Sequence, residues 1–186
     1  RPTPTLSYQP YFCDNEVESS GGIFPDGCVP VNQVKTAVAV GDNHTCALLA
    51  SGFVQCWGFN FYGELGDGSR IDSLTPVTVP GISTATAISA GLAHTCALLA
   101  DGTVQCWGVN NYGQTARTDA MGNLPNVVPG ISTAISISAG ENHTCAVLAD
   151  RKIKCWGLDN FGQLGKGTAG GSSTAPVFVT GMTNAL

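Results

Sequence analysis

The chain has 186 residues, of which 43% are apolar and only 11% charged, with 8 Lys and Arg against 13 Asp and Glu. So little charge excludes a coiled coil and a charge-rich disordered tail, and a net charge of −5 is a poor phosphate-neutralising surface, which argues against nucleic-acid binding. The 24 glycines and 10 prolines, set among clusters of Val, Ile and Thr, read as an all-β fold with many turns.

Residues 1–34 form an arm without internal repetition, punctuated by prolines and by Ser-Ser-Gly-Gly at 19–22. Cys13 and Cys28 are expected to close one loop in it. The start, Arg1-Pro-Thr-Pro-Thr, does not read as a signal peptide; it reads as a processed start with any targeting segment already removed. The alternating carboxylates Asp14, Glu16 and Glu18 lack the Gly and closing Glu of a calcium loop.

From residue 35 the chain repeats itself three times, over about 35–83, 84–132 and 133–186. Gly41-Asp-Asn-His-Thr-Cys-Ala-Leu-Leu-Ala50 returns at 91–100 and 140–149, and each copy runs on into Cys-Trp-Gly at 56–58, 106–108 and 155–157. Four short strands are expected per copy: Ala37 to Val40, His44 to Leu49, Phe53 to Trp57, and Val77 to Val79. Asp101-Gly102 is a hairpin signal between the second and third. Four strands in about 50 residues is the arithmetic of a β-propeller blade. No stretch approaches the ~18 consecutive apolar residues of a spanning helix.

The eight cysteines are even in number and contain no Cys-x-x-Cys, which favours disulfides and an oxidising compartment. A three-residue hairpin loop at 100–102 with Gly102 left-handed sets Cys96 opposite Cys106; the same reasoning pairs Cys46 with Cys56 and Cys145 with Cys155. A competing reading is zinc. His44 shares a strand face with Cys46, with Cys56 opposite, and this His-Cys-Cys set occurs three times. Against it, no fourth ligand recurs. The three histidines, His44, His94 and His143, occupy one repeat position, which reads as a structural role.

The pattern Gly-x-x-His-x-x-Ala-Leu, then Trp57-Gly-Phe-Asn-Phe-Tyr-Gly-Glu-Leu-Gly66 and Trp156-Gly-Leu-Asp-Asn-Phe-Gly-Gln-Leu-Gly165, closely resembles the regulator-of-chromosome-condensation repeat. Two departures put loop geometry in question: Gln114-Thr-Ala116 in the second copy and Arg151 at the turn glycine of the third. The resemblance implies a β-propeller of about seven blades, so that the three repeats here would be a partial ring completed by remaining blades or by a second chain. The disulfides make it look like the form of the repeat found in exported proteins, placing it in an extracellular or periplasmic setting. Family members include a chromatin-bound exchange factor and secreted propellers that inhibit β-lactamases, all using loops on a propeller face. The resemblance therefore implies a protein partner and binding rather than catalysis.

The residues agree with a non-enzyme. No nucleophile–base–acid set, phosphate loop or dinucleotide fingerprint appears, so no catalytic residue, cofactor or metal is assigned. Positions identical between copies read as scaffold: Trp57, Trp107 and Trp156, and Gly63, Gly113 and Gly162. The aromatic at Tyr62, Tyr112 and Phe161 recurs too and reads as core. Variable positions on equivalent loops are the candidate contacts: Phe59, Val109 and Leu158, then Phe61, Asn111 and Asn160, with Arg70 and Arg117 on a loop that also varies in length. The expected function is a secreted protein-binding module working through these loops; the alternative is an accessory subunit of an extracellular or periplasmic assembly, docked through blade edges and the N-terminal arm.

Overall fold

The computed structural model describes residues 11–13, 28–30 and 37–185, divided between two compact units, Arg1–Lys35 and Thr36–Leu186. The first unit holds two short antiparallel strands, β1 (Tyr11–Cys13) and β2 (Cys28–Pro30), with Cys13 opposite Cys28. The sequence suggested no strands here. The side chains of the expected Cys13–Cys28 bridge lie outside the described residues.

The second unit consists of three sheets, each of four antiparallel strands in chain order. The first contains β3 (Ala37–Val40), β4 (His44–Leu48), β5 (Val54–Gly58) and β6 (Ser73–Thr78). The second contains β7 (Ala85–Ala90), β8 (His94–Leu99), β9 (Val104–Val109) and β10 (Met121–Val127). The third contains β11 (Ala134–Ala139), β12 (His143–Leu148), β13 (Ile153–Leu158) and β14 (Ser172–Phe178). The leading strands β3, β7 and β11 touch one another in sequence, so they form the inner edge and β6, β10 and β14 the outer. These are three blades of an open β-propeller.

The outermost strands begin earlier than Val77, because the sequence cue there was the Pro-Val pair alone. Pro76, Pro125 and Pro176 each sit inside a register break, between Gly58–Ser73 and Cys56–Val77 in the first blade, for example. A proline without an N–H is tolerated at a bulge on an edge strand, and there it also discourages further strand pairing.

The hairpins between second and third strands follow the expected geometry. Leu99 N–H donates to Thr103 O at 2.9 Å, and Gly102 has φ of 80°. Among the described residues, the two non-glycine residues with positive φ, Ala116 at 55° and Arg151 at 64°, are the two departures from the repeat pattern. The backbone is thus preserved and the side chain bears the strain. Arg151 is exposed, so Arg151→Gly is expected to stabilise the unit by about 0.5–1 kcal/mol, the left-handed penalty less the added freedom of the unfolded glycine. An unchanged or lower urea midpoint would count against this.

Burial lies between blades. One core joins Cys46, Leu48, Val54, Cys56 and Leu65 of the first blade to Ala97, Leu99 and Trp107 of the second. The next repeats the arrangement with Cys96, Leu98, Val104 and Cys106 against Ala146, Leu148 and Trp156. Bridges join Cys46–Cys56, Cys96–Cys106 and Cys145–Cys155, across Cα separations of 4.0, 4.1 and 4.1 Å. Each pair of sulfurs is bonded to itself, so no thiolate remains for the zinc reading.

Candidate functional site

Adjacent blades are clasped by one recurrent polar chain. His44 Nε2–H donates to Thr95 Oγ1 at 2.8 Å, Thr95 Oγ1–H donates to the Glu64 carbonyl at 3.2 Å, and Trp107 Nε1–H donates to the same carbonyl at 2.8 Å. His94, Thr144, the Gln114 carbonyl and Trp156 repeat it at 2.9, 3.0 and 2.9 Å. Since each threonine gives its proton to a carbonyl, the histidine must carry its proton on Nε2. Burial lowers the pKa of His44 to about 4 and that of His94 to about 3, so both rings are neutral. A Cβ at Gly91 would overlap the His94 ring, which explains the glycine three residues before the histidine. His44 and His94 thus tie neighbouring blades together.

Antiparallel order dictates that the connections 41–43, 91–93 and 140–142 and the longer loops 59–72, 110–120 and 159–171 emerge at one end of the blades. There the sequence candidates divide. Phe59 and Phe61 are 38% and 61% exposed, and Arg70, Asn111 and Asn160 are exposed as well. Leu158 is half-buried, and Arg117 is half-buried in an ion pair with Asp119 at 2.7 Å. Val109 is corrected: it is 8% exposed, because β10 begins at Met121 directly across from it. The recurrent aromatic is corrected in the opposite sense. Tyr112 is exposed and Phe161 is 90% exposed, because the turn is held by backbone and amide groups: Phe161 N–H donates to Gln163 Oε1 at 2.9 Å.

Two sets of residues escaped the sequence reading. Asn60 Oδ1 accepts Leu65 N–H at 2.9 Å while its Nδ2 donates to Asp67, Ser69 and Ile71 across the loop. Asn110 does the same work in the second loop. In the third, Asp159 accepts Leu164 N–H and pairs with Lys166 at 2.9 Å; these two contacts hold its carboxyl below the usual range. The signal was an Asn or Asp recurring between two variable positions.

The second is Glu64, which is 2% exposed. Its Oε2 accepts Tyr62 N–H at 2.9 Å, and burial raises its pKa. It borders a cavity of about 110 Å³ between the first and second blades, with Phe59, Tyr62, His44, Asp42 and Ala93. Phe59 and Tyr62 line it, and Phe61 packs against both, edge-on and stacked at 5.0–6.3 Å between ring centroids. This end is acidic: Asp42, Glu64, Asp67, Asp72, Asp119, Glu141 and Asp159 stand against Arg70, Arg117 and Lys166.

Family models described as the regulator of chromosome condensation (RCC1) repeat match residues 36–64, 85–114 and 134–163, and, in a second form, 51–98 and 101–147. The chain belongs to the RCC1 repeat family. No curated protein matches it. Among solved structures it is similar to yeast RCC1 (Prp20) in complex with Kap60, at 21% identity over 85% of this chain and 41% of that one, with a TM-score of 0.69. Human WBSCR16 is similar at 20% identity over 87% and 43% of the two chains, TM-score 0.70. Prp20p of Saccharomyces cerevisiae, described with its binding to Gsp1p and histones, is similar at 22% over 83% and 40%, TM-score 0.67. The match spans about two fifths of those proteins' own length. At such identity the likeness establishes the fold.

Within these RCC1 repeats, the clasp, the bridges and the loop staples are common property of the copies. What distinguishes the first repeat is local to its loop end: the added rings of Phe59 and Phe61, a buried carboxylate where the other copies have Gln114 and Gln163, and a cavity beneath. At that cavity His44 is neutral and committed to Thr95.

Proposed function

We propose that this chain is a non-catalytic, secreted protein-binding module that takes its partner on the acidic loop end. The observation carrying this reading is the exposed pair Phe59 and Phe61, at positions that differ between the three copies, packed against the half-buried Tyr62. Large aromatic side chains held rigid on a scaffold are typical interface anchors. Yeast RCC1, which shares the fold, is bound to Kap60 in its crystal structure, which supports a binding role. Three bridges per 151-residue unit, Thr36–Leu186, support an oxidising compartment and hence secretion.

Phe59→Ala with Phe61→Ala is expected to reduce partner capture at least about tenfold, on the scale of interface anchors, while the melting temperature stays unchanged. Quantitative pull-down beside thermal unfolding checks it; a large drop in melting temperature would mean that the rings pack under the blade instead. A second reading, docking of a further blade or a second copy on the sheet flanks, is favoured by a different observation. Trp57 and His143 are half-buried and lack the clasp partners that Trp107, Trp156, His44 and His94 have among the described residues. On that reading the double substitution leaves capture intact.

A further inference from the structure

The interval between the first two blades differs from the next in three coincident ways. Between the second and third blades, Gln114 Oε1 accepts Tyr112 N–H and its Nε2 donates to Asn142 Oδ1 at 3.4 Å, so both ends of the amide are engaged. In the first interval the amide is replaced by Glu64, and Asn142 by Ala93. The carboxylate keeps the bond from Tyr62 N–H and is also supported by the backbone of Gly63 and of Glu64 itself, but no side chain among the described residues donates to it. Shortening the facing side chain to a methyl group leaves the cavity of about 110 Å³ into which Glu64 points. The third difference is the aromatic wall, since Val109 and Asn111, and Leu158 and Asn160, stand where Phe59 and Phe61 do.

A carboxylate 2% exposed and without a counterion is costly to bury. No Lys or Arg lines the cavity, and the neighbouring His44 is neutral. The site therefore lacks a cation, and its walls suit one: ring faces attract ammonium groups and an acidic surround draws them in. The volume admits three or four heavy atoms at roughly 30 Å³ each, the end of a lysine side chain. A guanidinium is matched by a carboxylate with both oxygens available, and here one is already engaged by Tyr62 N–H.

We propose that the Glu64 cavity is a receptor for a single lysine side chain presented by the partner protein, with the ammonium against Glu64 and the methylene stem between Phe59 and Tyr62. This rests on the reading of the loop end as the binding face.

The test is titration of the intact chain with Nα-acetyl-lysine methylamide, followed by the aromatic proton resonances of Phe59 and Tyr62, beside the neutral Nα-acetyl-norleucine methylamide. Expected is saturable, millimolar binding of the lysine probe alone. Glu64→Gln installs the residue of the other two repeats, so the fold is retained; it should weaken the probe by about tenfold or more, as loss of a charged hydrogen bond does. Ala93→Asn should close the cavity with the same result. No saturable shift, equal binding of the norleucine probe, or full binding by Glu64→Gln would each overturn the proposal. Should the probe fail while Phe59→Ala with Phe61→Ala still weakens partner capture, the lysine receptor falls and the binding face stands. Should the probe bind while that double variant captures partner normally, the partner does not present its lysine between Phe59 and Tyr62, and both the receptor role and the aromatic anchor fall.

Discussion

Reduction of the three blade disulfides, followed by alkylation, is expected to leave the repeat unit unable to refold. Each bridge closes a hairpin of separation 10, which confers about 2–3 kcal/mol by restricting the unfolded chain. Together this is about 8 kcal/mol, comparable with the roughly 5–15 kcal/mol total stability of a domain. The sulfurs are also part of the packing: Cys46 and Cys56 share a core with Trp107, and Cys96 and Cys106 with Trp156. The readout is red-shifted tryptophan emission and loss of a cooperative melt. Because alkyl groups add bulk of their own, Cys96→Ala with Cys106→Ala provides the cleaner figure, a loss of about 3 kcal/mol or more once the cavity is included. An unchanged melting temperature in both experiments would show the bridges to be dispensable.

Acidification from pH 7 to pH 4.5 is expected to remove much of the remaining stability, through the clasp histidines. Their folded pKa values, about 4 for His44 and about 3 for His94, lie below the unfolded value of 6.5. The unfolded chain therefore binds protons first as the pH falls. Stability is complete above about 6.5 and declines below it toward the folded values. At pH 4.5, two pH units below the unfolded value, the pair together accounts for roughly 5 kcal/mol. His143, half-buried, is lowered in the same direction by its burial. Glu64 works the other way: its raised pKa means that it gains a proton more readily in the folded state, which offsets part of the loss just above the ordinary carboxylate range. Urea midpoints measured from pH 7.5 to 4.5 check the sum. A flat profile would mean that the histidines are not held neutral in the core.

Much of this architecture is written locally. The strands β3, β4 and β5 alternate or carry recurrent apolar positions, and Asp101-Gly102 places a left-handed residue at the turn, so strand order and the Cys96–Cys106 pairing follow from interactions within about ten residues. Recurrence across three copies amplified these cues. The same recurrence misled where identity between copies was taken for burial. Phe161 and Tyr112 recur yet stand in solvent, since their turns are held by Gln163, Gln114 and the Asn/Asp staples rather than by the ring.

What tertiary structure alone decided lies between blades. The partners of His44 and Trp107 are Thr95 and the Glu64 carbonyl, 51 and 43 residues away, and no spacing rule within a repeat identifies them. Val109 and Phe59 occupy equivalent positions with opposite exposure because the second blade sets Met121 across from Val109, whereas pairing in the first blade ends at Gly58 and Ser73. The pairing of Glu64 with Ala93 rather than with an asparagine is likewise an accident of two different repeats meeting. The sequence by itself determined the blade, its turns and its bridges, because those contacts are short-range and backbone-driven. The clasp, the buried carboxylate and its cavity arise only when consecutive blades pack face to face, because side chains from different repeats must meet before their chemistry exists.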